Sequence, residues 1–165
     1  TQHPDRNIVG IVHEYQREQA VQVLKVLPTA PYNLITKAEN AEFIKYLGNN
    51  LLYVKTVFMN LAYDLAEKLG CEWDVIKDAA GNDPRIGKSH LDPVHDKGRG
   101  AGGHCFIKDF EAFLRQYSEL TNDTLGSNVL SALREKNNQL LISSKKDLDL
   151  LFGVYDSNLL LGKDK

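Results

Sequence analysis

Cys105 follows Gly102, Gly103 and His104 at the head of an amphipathic run, and Asp109 comes four residues later. A cysteine placed where a glycine-rich loop enters a helix meets unpaired N–H groups and the positive end of the helix dipole, both of which favour thiolate. The chemistry open to it is nucleophilic: a thiolate attacks an electron-poor carbon, and a carboxylate one helical turn away on the same face can take or return a proton. The glycines let backbone approach a bound ligand closely. Spacing alone serves a packing account equally well, with Cys105 a small buried apolar residue and Asp109 an exposed first-turn acid. A second set lies in FIKYLGNN, residues 43–50, where Lys45 and Asn49 are one turn apart. They present an ammonium and an amide on one helical face, or simply a solvated stripe. Gly48 between them costs about 1 kcal/mol of helix propensity against alanine, which a close approach by ligand or backbone would explain.

Other chemistries fit less well. His90, Asp92, His95, Asp96 and His104 suggest a metal loop, but they form no repeated ligand motif, and the second cysteine, Cys71, is distant. A hydrolase pairing His104 with Cys105 is poorer still, because adjacent residues rarely orient a base toward the neighbouring thiol. Cys71, Trp73, Tyr53, Phe58 and Tyr63 read as core or interface packing.

The elements that must hold these residues follow from periodicity. NIVGIV, residues 7–12, reads as a strand, residues 16–27 as a helix stopped by PTAP, and YNLIT, residues 32–36, as a second strand. With Thr36 as N-cap, one long helix then runs over 37–69 to a stop at Gly70. It is apolar around much of its girth, through Phe43, Leu47, Leu51, Val54, Phe58, Leu61 and Leu65, which predicts packing against a second copy of the chain. CEWDVIKDAAG gives a short helix ending at Gly81, and residues 82–103, rich in Gly, Pro, Asp and His, read as a long loop. Helices resume over 107–117 and 125–141, and the tail from 145 reads as helical at first. The fold class is mainly α, with a short α/β segment ahead of a helical domain that carries one long helix.

The 165 residues, 42% hydrophobic and 25% charged, suit one globular domain or a large piece of one. A net charge of −2 and pI near 6.2 speak against a nucleic-acid surface. Two cysteines are too few for a disulfide scaffold, no apolar run reaches the roughly 20 residues of a membrane helix, and TQHPDRN is no signal peptide. The expected setting is cytoplasmic, away from membrane.

Three ordered blocks, AEFIKYLGNNLLYVKTVFMNLAYDLAEKLG, DPRIG and GGHCFIKD, resemble the central segment of the UDP-glucose/GDP-mannose dehydrogenases. The resemblance runs from the first strand to about Gln139 and is sharpest around the cysteine. It implies NAD-dependent, four-electron oxidation of a nucleotide sugar's C6 alcohol to a carboxylate, with Cys105 carrying a thiohemiacetal and then a thioester. It implies that Lys45 and Asn49 stabilise oxyanion character and position water, and that Asp109 assists proton transfer. Arg85 would reach across a dimer to the partner's substrate, with Lys45, Gly102, Gly103 and Phe106 also around the sugar. His104 replaces a commoner Ser, Thr, Ala or Tyr, and Ile107 a frequent proline. The family's G-x-G-x-x-G turn and its glutamate-bearing block are not found in these residues, so no NAD-binding residues are assigned. On this resemblance, residues 1–36 are the end of an NAD-binding domain, and 37–165 are a central domain dimerising through the helix at 37–69. The substrate is a UDP-sugar or GDP-sugar, with the KSHLDPVHDKGRG loop leaning toward UDP, and the chain alone is expected to be inactive. The alternative is a non-catalytic dimerisation module with remnant site residues.

Overall fold

A computed structural model describes residues 2–155, which divide into two compact units, one ending at Gly48 and the other beginning at Asn49. In the first, strands β1 (Arg6–Ile11) and β2 (Tyr32–Lys37) pair in parallel, Ile8 opposite Leu34 and Val9 opposite Ile35. Parallel neighbours need a crossover, and helix α1 (Arg17–Val26) supplies it with Ala20 buried. Asn7 ties the crossover to the sheet by donating from Nδ2 to Pro28 O at 2.9 Å and Asn33 Oδ1 at 3.1 Å. The expected N-cap role of Thr36 is not what forms. Strand β2 runs directly into helix α2 (Ala38–Leu69), so Thr36 stays in the sheet opposite Gly10, and its hydroxyl accepts from Asn40 Nδ2 at 3.0 Å.

Helix α2 has 32 residues, a length of about 48 Å at 1.5 Å per residue. It ends where expected. Gly70 takes φ 70, and Cys71 N–H bonds back to Ala66 O at 2.9 Å, closing a Schellman motif that only a residue tolerant of the left-handed region closes cheaply. In the second unit, Tyr53 and Val57 of α2 pack with Ala101 and with Phe110 of α4 (Gly103–Thr121). The Tyr53 and Phe110 rings stack 3.9 Å apart. Val54 joins this core and thereby leaves the exposed apolar set in which the sequence placed it. Phe58 and Cys71, read as core or interface packing, are both exposed and so lie outside the core. Helix α3 (Trp73–Gly81) sets Trp73 edge-on to Tyr63 at 5.5 Å.

The glycine-rich stretch expected as an irregular loop contains a minimal hairpin, β3 (Val94–His95) against β4 (Gly98–Arg99). Its two turn residues, Asp96 and Lys97, both have positive φ, 50 and 65, the signature of a type I′ turn. The following helix also starts earlier than periodicity indicates, at Gly103, because the first turn of α4 is capped from elsewhere in the chain. Helix α5 (Thr124–Ser144) is N-capped by Asp123, whose carboxylate accepts from Gly126 N, and α6 (Leu148–Val154) follows. The rest of the tail lies outside the described residues. Among those residues no helix is long and apolar enough to cross a membrane.

Asn50 on α2 is 6% exposed, and among the described residues neither of its amide atoms has a hydrogen-bond partner. Asn50→Leu should therefore raise stability by about 1–2 kcal/mol, since an unpaired buried amide costs more than it returns. A higher urea midpoint is the expected reading; a lower one would show that the amide is satisfied in solution.

Candidate functional site

Cys105 is the third residue of α4, whose N-cap is Gly102, and it is exposed. Asp109 is buried at 7% exposure and accepts a short hydrogen bond, 2.6 Å, from Asn49 Nδ2. The packing account of these two residues is inverted on both counts: the thiol faces solvent and the acid is enclosed. A buried carboxylate needs donors, and a charge-assisted bond from an amide on the facing helix meets part of that need. The structure thus brings together Asn49 and Asp109, separated by 60 positions.

Lys45 stands one turn before Asn49 on α2, with its ammonium 5.4 Å from the Tyr46 ring centre. Arg85 is not drawn into the cluster. Its side chain is 88% exposed and folds onto Asp83, at 2.6 Å between guanidinium and carboxylate, which holds the Asp83 carboxyl below its ordinary range. Phe106 is half-buried against the core cluster, its ring 5.7 Å from that of His90.

What positions Cys105 is the loop before it, several of whose backbone groups are held by side chains from α5 or the residues just after it. Arg99 N–H donates to Ser144 Oγ at 2.9 Å. Asn137 grips Ala101 from both sides, accepting its N–H at 2.7 Å and donating to its carbonyl at 3.0 Å. Lys146 Nζ donates to Gly100 O at 3.1 Å, and Asp147 Oδ2 accepts Gly103 N–H at 2.7 Å. On the other side, the Arg99 guanidinium donates to Asn60 Oδ1 at 2.7 Å, Asn60 O at 3.1 Å and Asp64 Oδ1 at 2.7 Å. Gly100 is required here: it has φ 91, and a Cβ would press against Asn137 Oδ1 at 3.0 Å. Sequence reasoning missed Asn60, Arg99, Asn137, Ser144, Lys146 and Asp147, because each acts on residues 35 or more positions away.

A cavity of about 340 Å³ lies against this loop, lined among others by Thr56, His90, Asp92, Gly102, Gly103 and Phe106. Burial lowers the pKa of His90, with Lys55 and His95 acting in the same direction, so its imidazole is held neutral and able both to donate and to accept. The histidines and acids of the loop do not converge as metal ligands: among the described residues no group of three or more His, Cys, Asp or Glu is placed to hold an ion. His95 and Asp96 pair with each other at 3.0 Å, both largely exposed.

Residues 39–139 match the model of the UDP-glucose/GDP-mannose dehydrogenase family, central domain. UDP-glucose 6-dehydrogenase YwqF of Bacillus subtilis is 29% identical over 161 residues, covering 98% of the chain and 35% of that protein. The putative UDP-glucose 6-dehydrogenase YtcA of the same organism is 33% identical over 141 residues, 84% of the chain and 31% of that protein. A solved UDP-glucose dehydrogenase from the hyperthermophilic archaeon Pyrobaculum islandicum superposes with a TM-score of 0.69 at 32% identity, covering 83% of the chain and 30% of its own. The chain thus spans about a third of the length of the curated relatives it matches.

Proposed function

The chain belongs to the UDP-glucose/GDP-mannose dehydrogenase family, and we propose that it is the central part of a UDP-glucose 6-dehydrogenase-like enzyme that oxidises the sugar's C6 alcohol to a carboxylate. On this reading residues 37–165 are the central domain and 1–36 the end of an NAD-binding domain. The observation that carries it is the pairing of a solvent-facing Cys105 in the first turn of α4 with a buried Asp109 bonded to Asn49 one turn below.

Once the C6 alcohol has lost a hydride and its hydroxyl proton, Cys105 thiolate adds to the resulting aldehyde: the S–C bond forms, the carbonyl π bond breaks, and the oxygen takes a proton to give a thiohemiacetal. Loss of hydride from that carbon and of the hydroxyl proton leaves a thioester. Water then adds to the thioester carbonyl, the C–S bond breaks, and sulfur recovers a proton as the carboxylate leaves. Asn49 and Lys45, the matches to the family's asparagine and lysine, are the proposed donors to the developing oxyanion. Asp109 takes the proton from the attacking water, its carboxylate held in place by Asn49. Gly102, Gly103 and Phe106, which line the cavity, are the proposed sugar contacts. Arg85, folded on Asp83 within one chain, is the proposed contribution to a partner's site.

NAD, the oxidant the resemblance implies, accepts the two hydrides when bound. The described residues do not fit it: β1 leads through a turn at Glu14–Gln16 without glycine, and β2 runs straight into α2, so neither βα junction makes a pyrophosphate cradle. No step in its binding is assigned to them. The test is conversion of UDP-glucose to its 6-carboxylate with NAD by an enzyme carrying this chain, and its dependence on Cys105. Conversion that ignores Cys105 would assign the chemistry to another residue, and no conversion at all would leave a helical dimerisation module.

The partner proposed for α2 is a second copy of the chain. In the second unit Leu51, Phe58, Leu65 and Leu69 lie four or seven residues apart and are 64%, 59%, 60% and 69% exposed. A stripe of this kind marks an interface. Sedimentation should show a dimer at tens of micromolar, roughly the range for interfaces of ordinary affinity, and Leu51→Lys with Leu65→Lys should yield monomer. A monomeric parent chain would remove the proposal.

A further inference from the structure

Asp147 opens α6 more than 40 residues after Cys105, yet its carboxylate caps the helix that carries the thiol, with Oδ2 2.7 Å from Gly103 N. Gly102 leaves the room it occupies: a Cβ there would clash with Asp147 Oδ2. Lys145 and Asp147 hold φ 57 and 51, left-handed values that non-glycine residues adopt only under strain. Something must keep them so. Lys146 between them is 8% exposed, with its ammonium on Gly100 O, and Lys146 N–H bonds back to Leu141 O at 2.9 Å. Residues 145–147 therefore form a clip that fixes the loop and the start of α4 together.

We propose that Asp147 is a positioning residue for Cys105: its carboxylate fixes the first turn of α4 and restrains ionisation of the thiol two residues further on. The inference rests on the reading of Cys105 as the nucleophile. A helix N-terminus stabilises an anion through its free N–H groups and dipole, and a carboxylate already seated there takes up part of that potential. A thiolate nearby then gains less.

Other charges surround the junction. His90, Asp92, His95 and Asp96 come from the loop, and they share the cavity with Lys146 and Asp147. His104 and Lys108 of α4 face Asp149 of α6, and Asp109 is turned inward to Asn49. Lys146 opposes the charge of Asp147, but burial lowers its own pKa against the pull of Asp147 and Asp96, and its ammonium is committed to Gly100 O. Asp147 is the acid in direct hydrogen bond with the backbone of the first turn.

The test is iodoacetamide labelling of the 165-residue chain across pH, read by mass spectrometry, with exposed Cys71 as reference in the same sample. Asp147→Asn and Asp147→Ser both keep an oxygen to accept Gly103 N–H and remove the charge. In each, the Cys105 profile should move to lower pH and its rate at neutral pH rise by about two- to fivefold, while Cys71 is unchanged. A Cys105 profile that stays in place in both variants, or one that moves only together with that of Cys71, would reduce Asp147 to a structural cap and overturn the proposal. The readout uses neither cofactor nor sugar. It therefore stands or falls separately from the dependence of turnover on Cys105.

Discussion

Cys105→Ala in an enzyme carrying this chain should reduce formation of the sugar carboxylate by at least about a thousandfold, the scale on which removal of a covalent nucleophile is felt. Without sulfur the aldehyde has no covalent anchor, so the second oxidation must proceed from a hydrated aldehyde that is free to leave. The small change in volume at an exposed first-turn position should leave stability within about 0.5 kcal/mol of the parent. Loss of product with an unchanged urea midpoint is therefore the expected pair of results, with product measured by chromatography and NADH by absorbance. Carboxylate formed within tenfold of the parent rate would assign the chemistry to another residue.

The residues of this proposal were legible in the sequence because their signals are local. Cys105 is marked by the glycines before it, Asn49 by the turn it shares with Lys45, and the end of α2 by Gly70, whose φ of 70 is what a helix stop there requires. The βαβ order, the long helix and the mainly α class follow from periodicity and from proline at the end of α1. Burial of Asp109 was not legible, since four-residue spacing from Cys105 fixes a face but not what docks on it. The contact with Asn49 across 60 positions decides that. Nor does sequence show that Lys97 adopts a left-handed turn, because lysine has no intrinsic taste for it. The resemblance gives Arg85 a reach across a dimer, and nothing in the sequence shows that within one chain an aspartate two residues earlier takes its guanidinium. The clip at 145–147 has no motif at all. Its meaning arises only when the end of α5 arrives beside the loop, which is tertiary packing overriding local preference.

Asn137→Ala should destabilise the second unit by about 2–5 kcal/mol, the second large effect expected, because it would strand two backbone groups at once. Asn137 is 0% exposed and Ala101 is 1% exposed, so water cannot readily replace what the amide supplies. Oδ1 takes the Ala101 N–H and Nδ2 gives to the Ala101 carbonyl, mimicking the pair of bonds that a neighbouring strand would offer. Each buried group left unpaired costs about 1–3 kcal/mol, and the lost side-chain volume beside Leu140 and Leu141 adds to it. Asn137→Asp separates the two contributions. A carboxylate fills the same space and still accepts from Ala101 N–H, but it faces the Ala101 carbonyl with oxygen and carries a buried charge. Its loss should equal or exceed that of alanine at neutral pH and lessen as acid protonates the new carboxyl, which then regains a donor. Urea unfolding at several pH values reads both variants. If Asn137→Asp were as stable as the parent at neutral pH, the Ala101 carbonyl would need no donor, and the loop ahead of Cys105 would owe its shape to Arg99 and the 145–147 clip instead.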